Sequence, residues 1–157
     1  MKQQVKQLQL LFRLTVICIW LSAAALCSVG FLPMISDEVF RQMITYTMAT
    51  IFWVTAILAY LLFWMTNVVS VNQAKRLKKT KERKKIPCGL FRFYTNAKGT
   101  AADIGLILSI IFFVLTLFRR IRTGWMPTAA LAAVYLTVHL HGLYNGRNYK
   151  FIKRLVN

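Results

Sequence analysis

Between residues 14 and 34 the chain carries no charged side chain, and none occurs again from 43 to 71. A helix needs about 20 apolar residues to cross a bilayer core about 30 Å thick. Both runs reach that length. A third uncharged run, 104–118, is about 22 Å long as a helix. Ala101, Ala102 and a snorkelling Arg119 extend it to 101–119. The fourth, 125–144, is the most polar and contains His139 and His141. Its polarity favours a place inside a bundle over one facing lipid. The expected fold class is therefore an all-α integral membrane protein. It is a single four-helix transmembrane bundle over 1–157, with spans at about 14–34, 43–71, 101–119 and 125–144 and a connecting loop at 72–103.

Composition narrows the class from the other side. The chain is 57% apolar and 16% charged, with a net charge of +17. Soluble domains are about 45–50% apolar and about 25% charged. A soluble basic domain, a disordered basic tail and a disulfide scaffold are all disfavoured. Of the three cysteines, Cys18 and Cys27 lie nine residues apart on one span. As a helix that is about 13 Å, too far to pair. Cys88 falls in the basic loop, where a free thiol is expected.

The first run also invites a signal-peptide reading, from Lys2, Lys6 and the small residues Ala23, Ala24 and Ala25. Apolar sequence continues past them to Gly30, Phe31 and Leu32, so an uncleaved span is expected. A lipoprotein reading of Cys27 fails on Leu26, which occupies a place that wants a small residue.

Basic residues fix the expected orientation. The segment before the first span, the 72–103 loop and the segment after the fourth span hold 17 of the 21 Lys and Arg residues. The other side holds Arg41, Arg119, Arg120 and Arg122. Lys/Arg excess marks the cytoplasm, so an N-in/C-in topology follows. Arg119, Arg120 and Arg122 fit that rule poorly. They are expected to contact outer-leaflet phosphates in a tight loop. A re-entrant hairpin of the last two spans and an anionic ligand or partner site are the alternatives.

Eight basic residues crowd into the eleven positions 75–85: Lys75, Arg76, Lys78, Lys79, Lys81, Arg83, Lys84 and Lys85. They fall on every helix face. They read as a topology determinant that also attracts anionic phospholipids, at about 1 kcal/mol per charge near the surface. Nucleic acid is not an expected partner, because no stacking platform accompanies the charge. Beyond Pro87 and Gly89, the spacing of Leu90, Phe93, Tyr94 and Ala97 predicts a short amphipathic interfacial helix in the cytosolic loop. Lys98, Gly99 and Thr100 then mark a helix end and restart, with Asp103 in the first turn of the third span.

Ionisable groups inside spans are functional candidates by default. Here they are Asp103, His139 and His141. The last two spans share a short connection and should be antiparallel neighbours. Asp103 lies 19 residues before Arg122 and His141 lies 19 after it, so the two meet at similar depth. Tyr144 and Asn145 follow within a turn. The expected result is a polar interhelix cluster of Asp103, His141, Tyr144 and Asn145 that clasps two helices. A proton or ion relay is its functional alternative. His139 and His141 point about 200° apart on a helix, so no metal site is expected.

No nucleophile–base set and no phosphate-binding or zinc motif is present in the sequence. The chain is expected not to be an enzyme and to need no cofactor. It reads as a small polytopic membrane protein that binds a protein partner or itself, an accessory or immunity-type protein. The alternative is a small oligomeric transporter or channel using Asp103, His139 and His141. The expected location is a cell membrane, and with no legible organelle-targeting segment, a bacterial cytoplasmic one.

Overall fold

The computed structural model describes residues 2–76, 91–118 and 125–156. All regular structure among them is helical. Helix α1 spans Lys2–Ser28 and passes into a 3₁₀ segment, Val29–Met34. Helix α2 spans Glu38–Arg76, α3 Ala97–Phe118, α4 Trp125–Tyr144 and α5 Arg147–Val156. The first four are long and apolar enough to cross a membrane.

Local chemistry explains the boundaries. Pro33 lies in the 3₁₀ segment, where α-helical pairing has lapsed and the Ile35 N–H reaches only the Leu32 carbonyl, at 3.0 Å. Asp37 caps α2 by accepting the Phe40 N–H at 3.0 Å. Glu38 in the first turn adds a favourable dipole term. Helix α2 then runs 39 residues, about 58 Å. Its hydroxyls turn inward on their own helix: Thr45, Thr47, Thr50, Thr55 and Thr66 each bond a carbonyl four residues back. At α4, Pro127 sits in the first turn, where its missing N–H has no helical partner to lose. Gly146 ends α4, and its carbonyl opens α5 by accepting the Lys150 N–H at 3.3 Å.

The long helices form a row in the order α2, α1, α4, α3. Helix α1 packs against α2 on one side and α4 on the other, while among the described helices α3 packs against α4 alone. Small side chains allow the close approach at the α1–α4 seam. Ser22, Ala23, Ala25, Ala130 and Ala132 are buried. Ser22 and Tyr135 join their hydroxyls across it at 2.9 Å. The α3–α4 contact has its own bond, Ser109 to Thr137 at 2.8 Å. At the end where α1 begins and α4 stops, Leu8, Phe12, Leu143, Phe151 and Ile152 close a core under α5.

The outward faces are apolar. Helix α2 exposes Trp53, Ile57, Leu61 and Trp64, and α3 exposes Ile107, Leu108, Ile111 and Leu115. Water would penalise such surfaces, whereas lipid tails match them. Four long apolar helices with outward apolar faces are compatible with a multi-pass membrane protein.

One expected element is absent. Residues 91–96 form turns and bends, not an amphipathic helix, and Phe91 is exposed. Helical backbone there would take away donors that side chains claim instead, and Tyr94 adopts a left-handed φ of 55°. Leu90 lies outside the described residues. Nor do Lys98, Gly99 and Thr100 interrupt α3. They form its first turn and place Asp103 in the second.

Candidate functional site, a polar clasp between α3 and α4

The cluster is built on Asp103, which is fully buried. Its Oδ1 accepts from His141 Nδ1 at 2.5 Å and from Asn145 Nδ2 at 2.7 Å. Its Oδ2 accepts the Tyr94 backbone N–H at 2.6 Å. The imidazole is taken as the Nδ1–H tautomer because its partner is a carboxylate oxygen. His141 and Asn145 are one helical turn apart on α4, so one carboxylate on α3 gathers both.

Asn145 is the bridge to the segment before α3. Its Oδ1 accepts from Thr95 Oγ1 at 2.7 Å and from the Thr95 N–H at 3.3 Å. Asn96 completes the strap. Its Nδ2 donates to the Tyr144 carbonyl at 2.9 Å, and its Oδ1 caps α3 by accepting the Gly99 N–H at 3.0 Å. Gly99 must be glycine, because a Cβ there would collide with Asn145 Oδ1. Phe93 covers the His141 ring, with centroids 4.7 Å apart. The left-handed Tyr94 costs about 1–2 kcal/mol. Its N–H bond to the Asp103 carboxyl offsets that by about 0.5–1.5 kcal/mol.

The expected members thus divide. Asp103, His141 and Asn145 come together, but the Tyr144 ring does not join them. It packs against Phe12 and Tyr149, with Lys98 Nζ 5.8 Å from its centroid, and contributes only a backbone carbonyl. His139 stands apart and exposed, its Nδ1 2.7 Å from the Tyr135 carbonyl. Thr95, Asn96 and Gly99 are parts of the clasp that sequence reasoning misses. Asn96, three residues before Gly99 and ahead of an apolar run, is a capping signal that could reveal them.

Lys75 and Arg76 belong to the last turn of α2. Lys78, Lys79, Lys81, Arg83, Lys84, Lys85 and Cys88 lie outside the described residues, as do Arg119, Arg120 and Arg122. Cys18 is a free thiol buried in the core, and Cys27 is free and half-buried. Among the described residues no three His, Cys, Asp or Glu side chains lie close enough to share a metal ion.

A second feature lies at mid-row. The backbones of α2 and α4 stay apart, although Phe52 of α2 meets Tyr135 of α4 with ring centroids 5.8 Å apart, and beside that contact runs a groove floored by α1. Thr15 and Ile19 form its floor, Ala56 and Ala59 one wall, Gly142 and His139 the other. Its volume is about 360 Å³.

No family model, curated protein or solved structure matches the chain.

Proposed function

We propose that the chain is inserted in a bacterial cytoplasmic membrane with both termini in the cytosol. There it acts without catalysis, by holding a transmembrane helix of a partner protein, as an accessory or immunity-type protein would. The observation that carries this reading is the groove between α2 and α4. Its walls offer Ala56, Ala59 and Gly142, which let a helix backbone approach closely. Its floor hydroxyl, Thr15, already donates to the Leu11 carbonyl at 2.8 Å, so an apolar occupant leaves that group satisfied. The groove is not enclosed, so an apolar segment of a partner can enter it.

The transporter or channel alternative draws less support. Asp103 and His141 bond with each other and with Asn145 at one end of the row, and of the three ionisable candidates only His139 reaches the groove. The clasp is better read as a lock that fixes α3 on α4.

Site-specific photo-crosslinking in host membranes tests the partner reading. A photoreactive residue at Ala56 or His139 is expected to give one discrete protein adduct. The same group at Leu108, on the outer face of α3, is expected to give none. Adducts with lipid alone at both groove positions would refute it. An adduct of twice the chain mass would mean a homo-oligomer and favour the transporter. Orientation has a separate check. A reporter active only after export, fused behind Asn157, is expected to be silent; strong activity would overturn the C-in assignment.

A further inference from the structure

Two cavities of about 430 Å³ each lie side by side at the end where α1 begins and α4 stops. They share Tyr149 and Lys153 of α5. Their linings differ in kind. The first has a cationic rim of Arg13, Lys98 and Lys153 above an apolar wall of Val16 and Ile17. Those two residues lie about 4.5–6 Å further along α1 than Arg13, away from the rim. The second is lined by polar and charged residues, and Arg92, Lys150 and Arg154 add to the charge of Lys153. Among the described residues, neither lining contains an acidic side chain. Asp103, the acidic residue described nearest them, is fully buried and already accepts three hydrogen bonds.

The row architecture explains why the first cavity exists. Helices α1 and α3 both pack on α4 and not on each other, so the space between them stays open. Lys98 from the first turn of α3 and Arg13 from α1 face it from opposite sides, and α5 lids it. Its floor is aromatic, where Phe12, Tyr144 and Tyr149 meet with ring centroids 5.1–5.9 Å apart.

A cationic rim over an apolar wall fits an amphiphile with an anionic head, and an adjoining polar cationic chamber fits a second anionic group on that head. We propose that this end of the protein is a specific site for a phospholipid whose headgroup carries two phosphates. One phosphate lies among Arg13, Lys98 and Lys153, with an acyl chain against Val16 and Ile17. The other lies between Arg92 and Lys150, with Lys153 standing between the two. This rests on the membrane-inserted reading above. It differs from the diffuse attraction expected of residues 75–85, because it discriminates between anionic lipids of different head structure.

Titration of the purified full chain in a nonionic detergent, read by native mass spectrometry, tests it. The probes are diphosphatidylglycerol, phosphatidylglycerol, phosphatidylcholine and inorganic phosphate. The two-phosphate lipid is expected to bind about tenfold tighter than phosphatidylglycerol, and phosphatidylcholine more weakly than either. The double variant Arg13→Gln, Lys98→Gln should weaken both anionic lipids about tenfold. The double variant Arg92→Gln, Lys150→Gln should remove only the preference for two phosphates. All four side chains are exposed, and circular dichroism of each variant is the check that helix content is retained.

Equal binding of phosphatidylcholine and phosphatidylglycerol would overturn the proposal, as would unchanged binding in both variants. Displacement of the two-phosphate lipid by an equal concentration of inorganic phosphate would overturn the lipid and leave a free-phosphate site. Alkaline extraction of host membranes separates the two readings. A chain released by it refutes membrane insertion. A chain that resists extraction yet shows no lipid preference refutes the lipid site alone.

Discussion

Asp103→Ala is expected to destabilise the protein by about 3–5 kcal/mol, the cost of removing one member of a buried, hydrogen-bonded ionisable pair. The substitution strands three donors at once: His141 Nδ1, Asn145 Nδ2 and the Tyr94 N–H. It also removes the bond that offsets the left-handed backbone at Tyr94. Asp103→Asn should cost less, about 1–3 kcal/mol. It keeps one acceptor oxygen but turns an amide group toward another donor. Denaturant titration of the detergent-solubilised chain, followed by far-ultraviolet circular dichroism, measures both. A loss under about 1 kcal/mol for the alanine variant would mean that the clasp does not hold α3 on α4.

The opposite end of the row has its own sensitive point. Gly30 lies where the 3₁₀ segment crosses the start of α4, and a Cβ there would meet the Thr128 hydroxyl, the Trp125 Cα at 2.8 Å and the Trp125 carbonyl at 3.0 Å. Two of those atoms are backbone, which cannot rotate away. Gly30→Ala is expected to cost about 1–3 kcal/mol by overpacking. It should also disturb the stack of Phe31 on Trp125, whose planes lie within 11° of each other. Gly105→Ala is the control. Its Cβ would come no closer than 3.4 Å to Thr137 Cγ2, an ordinary contact. The gain in helix propensity, about 1 kcal/mol, should leave that variant neutral or slightly stabilised. Equal losses in the two variants would refute the crossing.

The long helices are legible in the sequence because chain length and bilayer thickness leave few alternatives for uncharged runs of this size. The meeting of Asp103 with His141 is legible for a geometric reason, since a short connection makes residues equidistant from it neighbours. What the sequence hides is how side chains compete for backbone groups. The spacing of Phe93, Tyr94 and Ala97 suits a helix, yet Asp103 and Asn145 take the N–H groups of Tyr94 and Thr95 that a helix would use. Tyr144 is near the cluster in sequence, but its ring follows the other side of α4 to Phe12 and Tyr149. Helix α5 escapes a reading that only counts charges, although Asn148, Phe151 and Ile152 are buried at helical spacing between the lysines. The helix order is hidden for a deeper reason. An apolar side chain suits lipid and a neighbouring helix equally well, so apolar periodicity does not say which face meets a partner. The small residues show this. Ala24 and Ala49 are exposed, while Ala23, Ala25 and Ala132 are buried.

The row order also bears on how the chain assembles. Helices α1 and α2 form one hairpin and α3 and α4 another, each joining partners adjacent in sequence. Within each hairpin the helices associate across a short connection, where loop-closure entropy is small. Among the described residues, the α1–α4 seam, the crossing of the 3₁₀ segment over the start of α4 and the docking of α5 unite distant parts of the chain. The first hairpin can therefore be complete before the second has been synthesised. What remains is a single docking of two finished halves, which α5 fastens.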